Sequence, residues 1–326
     1  MIAVVGGAGF IGSHTARLLA DADIPFVVFD NLSNGHREAV AGFELFHGDI
    51  RNREDTARFF SLFPIHSVIH FAGSIEVGES VVDPAKFYDN NVIGSWNLLE
   101  SMRAADVDKI VFSSTAAVYG EPETSPITED HPQRPASPYG DTKLAVERLL
   151  KSYESAYGVR HVILRYFNAG GSDPSGRIGE DHRPETHLVP RILLSVLGRS
   201  EFKVFGDDYD TPDGTCVRDY VHVCDLADAH LKAVQFLQGG SGSDVFNLGS
   251  GVGFSVKQVV DIAEKVTGAK IDPDIVERRA GDPAVLVASN SKAKTVLKWS
   301  PQFANLSDMV THTWNWLRSH PEGYND

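Results

Sequence analysis

Short apolar runs, separated by stretches with helical periodicity, set the pattern of this chain. Residues 2–5, 26–29, 67–71 and 109–113 are rich in Val, Ile and Phe, and 44–48 and 245–249 read as further strands. Helical patterns lie between them, for example near 84–104 around Asn97-Leu98-Leu99. Strands alternating with helices predict an α/β fold: a doubly wound parallel sheet of the Rossmann kind. Later in the chain, 188–197 reads as one apolar helix. Apolar residues at 256, 259, 260, 262, 263 and 266 keep a helical period that predicts a core-facing stripe. After about residue 169 the texture changes, with long polar stretches rich in Gly, Asp and Pro up to about 215. The expected division is a nucleotide-binding half over 1–169 and a smaller α/β substrate half over 170–326. Segments near 217–250 are expected to return to the first half. The sequence has no internal repeat.

Chemistry-bearing residues gather where the predicted strands end. The first run is followed at once by Gly6-Gly7-Ala8-Gly9-Phe10-Ile11-Gly12, and then by a helical pattern. Strand, glycine turn and helix form the context of a dinucleotide fingerprint, here spaced Gly-x-x-Gly-x-x-Gly. The glycines allow a tight turn and close approach of backbone to a pyrophosphate, which meets the free N–H groups of the helix start. The second run ends in Asp30, eighteen residues beyond Gly12. A carboxylate there suits ribose hydroxyls and repels a 2′-phosphate, so NAD is favoured over NADP. Asn31, Ser33, Asn34 and Gly35 follow as a polar loop able to wrap an adenosine. Asp49 and Ile50 are placed to flank the adenine. Phe71-Ala72-Gly73 and Ser113-Ser114-Thr115 close two further strands.

Ser137-Pro138-Tyr139-Gly140-Asp141-Thr142-Lys143 reads as a helix start, with Ser137 as cap and Pro138 in the first position. Tyr139 and Lys143 are four residues apart and share one face. A neighbouring ammonium favours the phenolate, so the pair is expected to act as an acid–base group near neutral pH.

The chain has 326 residues, 42% apolar and 23% charged, which bounds it to one or two ordinary globular domains. Its net charge of −14 argues against nucleic acid as a partner. No apolar run approaches the roughly 18 residues that span a bilayer, so no membrane association is expected. Cys216 and Cys224 are the only cysteines and read as reduced thiols. With the first strand starting at Ile2, the expected location is cytoplasmic. No metal site is expected.

Taken together, Gly6-x-x-Gly9-x-x-Gly12, Asp30 and Tyr139-x-x-x-Lys143 resemble the extended short-chain dehydrogenase/reductase family. Within it, the chain is similar to the UDP-hexose 4-epimerases that interconvert UDP-galactose and UDP-glucose in galactose metabolism. That narrower resemblance rests on Asp30-Asn31-Leu32-Ser33-Asn34-Gly35, Ser113-Ser114-Thr115-Ala116-Ala117-Val118-Tyr119-Gly120 and Arg165-Tyr166-Phe167-Asn168. It also rests on Gly206-Asp207-Asp208-Tyr209, Val217-Arg218-Asp219-Tyr220 and Arg278-Arg279-Ala280-Gly281-Asp282.

The resemblance implies a permanently held NAD. Tyr139, as phenolate, takes the proton of the sugar 4-hydroxyl while the C4 hydride passes to the nicotinamide. The 4-keto sugar then turns and takes the hydride back on its other face. Lys143 holds the nicotinamide ribose, and Thr115 bonds the 4-oxygen. Asn90, Ser113 and Phe167 join the cofactor contacts. On the substrate side, Arg218 and Arg279 clamp the diphosphate, Asp282 meets the uridine ribose, and Phe205 packs on the uracil. Asn168, His187 and Leu188 touch the phosphates and sugar. A homodimer is implied as well. Dehydrating relatives carry an Asp-Glu pair where this chain has Ala116-Ala117, and alanine transfers no proton. Two departures stand out: Ile75 in place of a lysine near the cofactor phosphates, and Leu286 near the position that gates N-acetyl sugars. UDP-N-acetylhexosamines and UDP-pentoses stay open as substrates. So does a non-catalytic NAD-binding regulator, although such a protein has no need of Thr115, Tyr139 and Lys143.

Overall fold

The computed structural model describes residues 1–278 and 282–325. Seven strands form one parallel sheet: β1 (Ile2–Val5), β2 (Phe26–Asp30), β3 (Leu45–His47), β4 (Ser67–His70), β5 (Lys109–Thr115), β6 (Arg160–Tyr166) and a later strand, Asp244–Leu248. Between β6 and that strand lie β7 (Asn168–Gly170), β8 (Lys203–Phe205) and β9 (Val217–His222), so Asp244–Leu248 is β10. The order across the sheet is β10-β6-β5-β4-β1-β2-β3. Apolar runs are continuous here because helices cover both faces. On one face Phe29, Phe59, Leu98, Phe112 and Val146 pack together. On the other, Ile69, Val111, Leu226, Ala229 and Phe246 do so.

The chain turns outward in opposite directions from β1 and β4, which are neighbours. A crevice opens at such a switch point, beyond the carboxyl ends of the strands. Here the backbones nearly touch: a Cβ on Gly6 would meet the Ala72 nitrogen at 2.4 Å.

A smaller sheet is built on β9, flanked by β11 (Gly253–Ser255) and β13 (Val285–Leu286), with β7 also pairing to β9. A separate pair joins β8 to β12 (Asp274–Val276). The core of the second half gathers Ile192, Leu193, Val259, Val310 and Trp316. The helix Val256–Thr267 carries the predicted stripe and is closed by a Ser255/Gln258 capping box. The helix Val223–Gln238 packs against the large sheet, where Leu226 and Ala229 enter its core.

Two elements differ from the pattern-based expectation. The stretch 84–104 is not one helix: Pro84 starts a short turn of helix, a π-helical turn spans Tyr88–Ile93, and the regular helix covers Gly94–Ala104. Strand β6 carries an apolar centre of only Val162, Ile163 and Leu164 between charged ends, too short a run to stand out. No helix among the described residues is long and apolar enough to cross a membrane.

Candidate active site

The glycine loop links β1 to the helix Phe10–Asp21, and its three spaced glycines meet three different demands. Gly6 has φ +77°, a left-handed conformation that side chains disfavour. Gly12 packs so tightly that a Cβ would meet the Gly6 carbonyl oxygen at 2.2 Å. Gly9 is crowded by nothing: a Cβ there meets only the Gly6 oxygen, at 3.5 Å. Its bare backbone therefore leaves surface open rather than relieving a clash. The helix it caps has no side-chain cap and no acid in its first turn, so its N–H groups stay available to an anion.

Asp30 ends β2 and is buried. Its two oxygens accept from the Ala8 and Leu32 N–H groups at 2.8 Å each, while burial pushes its pKa up. Asn31 donates to Asp49 at 3.0 Å, tying the loop after β2 to the one after β3. Ser33 and Asn34 are exposed. Gly35 lies against Ala8, where an added Cβ would come within 2.8 Å of backbone. Ile50 packs under Gly94, and its carbonyl accepts from Asn97 at 3.1 Å. These loops, with Phe71-Ala72-Gly73 after β4, surround the glycine turn. They supply an anion cradle, a buried acid and an open backbone face, which fit a dinucleotide.

The helix Pro138–Tyr157 positions the acid–base pair. Ser137 accepts from the Gly140 N–H at 3.2 Å, and Pro138 takes the first position. Tyr139 and Lys143 are both buried. Lys143 Nζ donates to the Ser113 carbonyl at 3.0 Å and stands close to Gly73. Thr115, at the end of β5, accepts from the Ala117 N–H at 3.1 Å and interacts with the Tyr139 side chain. Ala116 and Ala117 continue into a short helical turn that holds no titratable group.

The electrostatics correct one expectation. Burial raises the Tyr139 phenol to about 12, opposed by Thr115 and reinforced by Glu76. Lys143 does not lower it, and Nζ lies 6.0 Å from the ring centre. Burial instead lowers Lys143 itself, to about 8 from 10.5. Removal from water dominates both shifts. A consequence is measurable. Between about pH 8 and 10 the unfolded chain holds the Lys143 proton more firmly than the folded chain, so stability gains with rising pH. Without added nucleotide, the unfolding free energy should rise by about 2 kcal/mol more across that window than in Lys143→Met. Parallel pH profiles for the two proteins would discard the shift.

The cofactor contact Phe167 and the substrate-side residues come from β6 onward, where Tyr166 pairs with Thr115. Phe167 is buried, and Asn168 donates to the Asp219 carbonyl at 2.9 Å. Leu188 opens the helix Leu188–Val196, and His187 bonds Glu180. Phe205 ends β8. Arg218, on β9, pairs with Asp282. Arg278 bonds Asp208 at 2.5 Å and covers the Tyr209 ring at 4.2 Å. Arg279 lies outside the described residues.

A profile of the NAD-dependent epimerase/dehydratase family matches residues 2–249. The chain belongs to this family. It is 52% identical to a UDP-glucose 4-epimerase of Halalkalibacterium halodurans over 99% of this chain and 97% of that one. The crystal structure of a Brucella ovis UDP-glucose 4-epimerase in complex with NAD superposes with TM-score 0.94 at 46% identity, covering 96% of this chain and 97% of that chain. A Bifidobacterium longum UDP-glucose 4-epimerase bound to NAD+ and UDP also gives TM-score 0.94, at 39% identity and 99% coverage of both chains.

Two residues of this family member, Asn91 and Glu76, were not singled out from sequence. Asn91 is buried beside Gly73, accepts from the Ser74 N–H at 2.7 Å and donates to Thr142 at 3.0 Å. Its neighbour Asn90 donates to the Ser74 hydroxyl at 3.0 Å. The π turn re-phases the helix here, so a 3.6-residue period cannot say which asparagine faces inward. Tyr209 is buried under Arg278, and Glu76 acts on Tyr139 from the loop after β4. The two departures are placed as well. The Ile75 N–H donates to Glu76 at 3.3 Å, and Leu286 packs on a cluster containing Ala116, Tyr119 and Phe167.

Proposed function

We propose that this protein is an NAD-dependent UDP-hexose 4-epimerase, interconverting UDP-galactose and UDP-glucose. The observation that carries the reading is the grouping of Thr115, Tyr139 and Lys143 at the strand ends beside a dinucleotide-type glycine loop, with alanines at 116 and 117. Residues 1–169, with the returning segment near 217–250, form the cofactor half. The glycine loop and helix start hold the NAD pyrophosphate, Asp30 and Asn31 the adenosine ribose, and Lys143 the nicotinamide ribose. Bound NAD supplies a hydride acceptor, a hydride donor once reduced, and a positive charge.

The chain's own residues handle the proton and the sugar. Thr115 Oγ1 holds the sugar 4-oxygen, and Tyr139 Oη takes its proton and later returns it. The Ser113 carbonyl fixes Lys143. Ala116 and Ala117 offer no acid or base for removing water, so the 4-keto sugar has no elimination route there and returns as the 4-epimer. Asn168, His187, Leu188, Phe205, Arg218, Arg279 and Asp282 bind the nucleotide diphosphate and sugar. Arg218 exchanges or shares its Asp282 partner with the phosphates, for which a guanidinium offers paired donors.

Conversion of UDP-galactose to UDP-glucose with no added acceptor tests the reading, and failure to form UDP-glucose overturns it. Arg218→Met should lower kcat/KM for UDP-galactose by about 10- to 100-fold, the worth of hydrogen bonds to a charged group. NAD content should stay unchanged. Equal kcat/KM in the variant would remove Arg218 from the diphosphate site.

The functional unit is a homodimer. Val81, Val82, Tyr88, Ile93 and Trp96 expose apolar surface on the helical segments after β4, and Val82 is 85% exposed. The protein acts in the cytoplasm, in keeping with two cysteines that form no disulfide.

A further inference from the structure

Four ligand-type side chains meet in the loop that follows β7. Glu180, His182, Glu185 and His187 each direct one ligand atom into a space where all four atoms lie within 4.8 Å of one another. Two features separate this group from an ordinary set of ion pairs. His182 Nδ1 lies 3.2 Å from Glu180 Oε1 and 3.8 Å from Glu185 Oε2, outside regular hydrogen-bond geometry. Glu180 is 2% exposed, and its Oε2 is buried with no hydrogen-bond partner among the described residues. A buried carboxylate oxygen without a donor is costly, and a cation satisfies it.

We propose that Glu180, His182, Glu185 and His187 form a binding site for one divalent transition-metal ion of the zinc type. Two imidazoles and two carboxylates make a closed four-ligand set, the arrangement of a structural rather than a catalytic ion, so the His187 ring serves the ion and only its backbone is left to the substrate. Imidazole selects zinc-like ions over magnesium or calcium, which prefer oxygen ligands. The loop is already shaped for it. Glu185 Oε1 accepts from the Thr186 and His187 N–H groups at 2.7 Å each, which orients its carboxylate. Asp181, between the ligands, is occupied elsewhere by Arg183 and the Tyr324 N–H. Binding displaces the proton held between His187 and Glu180. The ion ties together two parts of the molecule. The His182 ring meets Phe10 of the glycine loop edge-on at 6.1 Å, and His187 precedes the helix Leu188–Val196.

The test uses tag-free, NAD-loaded protein, cleared of metal by a chelator and titrated with Zn2+ alone. One Zn2+ should bind per chain, resist an excess of Mg2+, and raise the thermal midpoint. His182→Gln and Glu185→Gln should each weaken Zn2+ binding by at least about tenfold, with retained NAD reporting that the variants fold. Co2+ on the wild-type chain gives a second readout that needs no variant: a visible absorption band of a four-coordinate site. Absence of saturable Zn2+ binding, absence of that band, or unchanged affinity in both variants would show a proton-bridged cluster only and overturn the proposal.

Discussion

Tyr139→Phe should keep its NAD and lose turnover by about 10²- to 10⁴-fold, the usual worth of a positioned acid–base group. Phenylalanine preserves the ring, which is buried and packs edge-on near Phe87 at 6.5 Å, so the fold and the glycine loop should be undisturbed. What is lost is the one hydroxyl able to take and return the proton of the 4-oxygen. The phenol is held near 12 by burial, so it stays protonated until positive charge enters the site. Lys143, one turn on, does not by itself bring the phenol down to neutrality. Its Nζ is engaged by the Ser113 carbonyl, and its own pKa is lowered. The absorbance of retained nicotinamide and the rate of UDP-glucose formation measure the two halves of the claim. Wild-type turnover in the variant would take Tyr139 out of the reaction; loss of NAD would make it a structural residue.

Arg165→Ala should destabilise the protein by about 3–5 kcal/mol, the cost of leaving a buried charge without its partner. Arg165 and Glu147 meet at 2.6 Å, with side chains 1% and 0% exposed. The pair closes a network behind the site. Ser114 donates to Glu147 at 2.6 Å, and Arg165 donates to the Tyr119 hydroxyl at 2.9 Å. Tyr119 in turn donates to Asn247 at 2.7 Å. One network thus joins the residue before Thr115, the helix turn after Lys143, and the strands β6 and β10. Replacing both charges, as in Glu147→Gln with Arg165→Met, should recover much of the loss, because no unpaired charge then stays buried. Chemical denaturation of the single and double variants decides it. A single variant as stable as the wild type would show that the pair contributes nothing net.

Much of this could be read from the chain itself. Gly6, Gly9 and Gly12 declare a backbone that must turn tightly, stay bare and pack closely. Those demands depend on the absence of a side chain, which sequence shows directly. Asp30 and the Tyr139–Lys143 pair follow from periodicity, because strand ends and helix faces place them. The stretch 84–104 shows where this ends. Its apolar spacing suggests one helix, but Pro84 and the π turn break it, and the break decides that Asn91 faces Gly73 and Thr142.

The sequence by itself determined the parallel sheet, the dinucleotide loop and the identity of the acid–base residues. Each of these rests on local pattern, a period or a residue type at a fixed spacing. Tertiary structure alone decided their charge states and partners. Tyr139 and Lys143 are four residues apart in any helix, but only burial against β5 raises the pKa of the tyrosine and lowers that of the lysine. Arg165 and Glu147, Arg218 and Asp282, and the four ligands between Glu180 and His187 are ordinary charged residues until folding removes water from around them. Desolvation depends on everything packed around a group, and no local pattern encodes it.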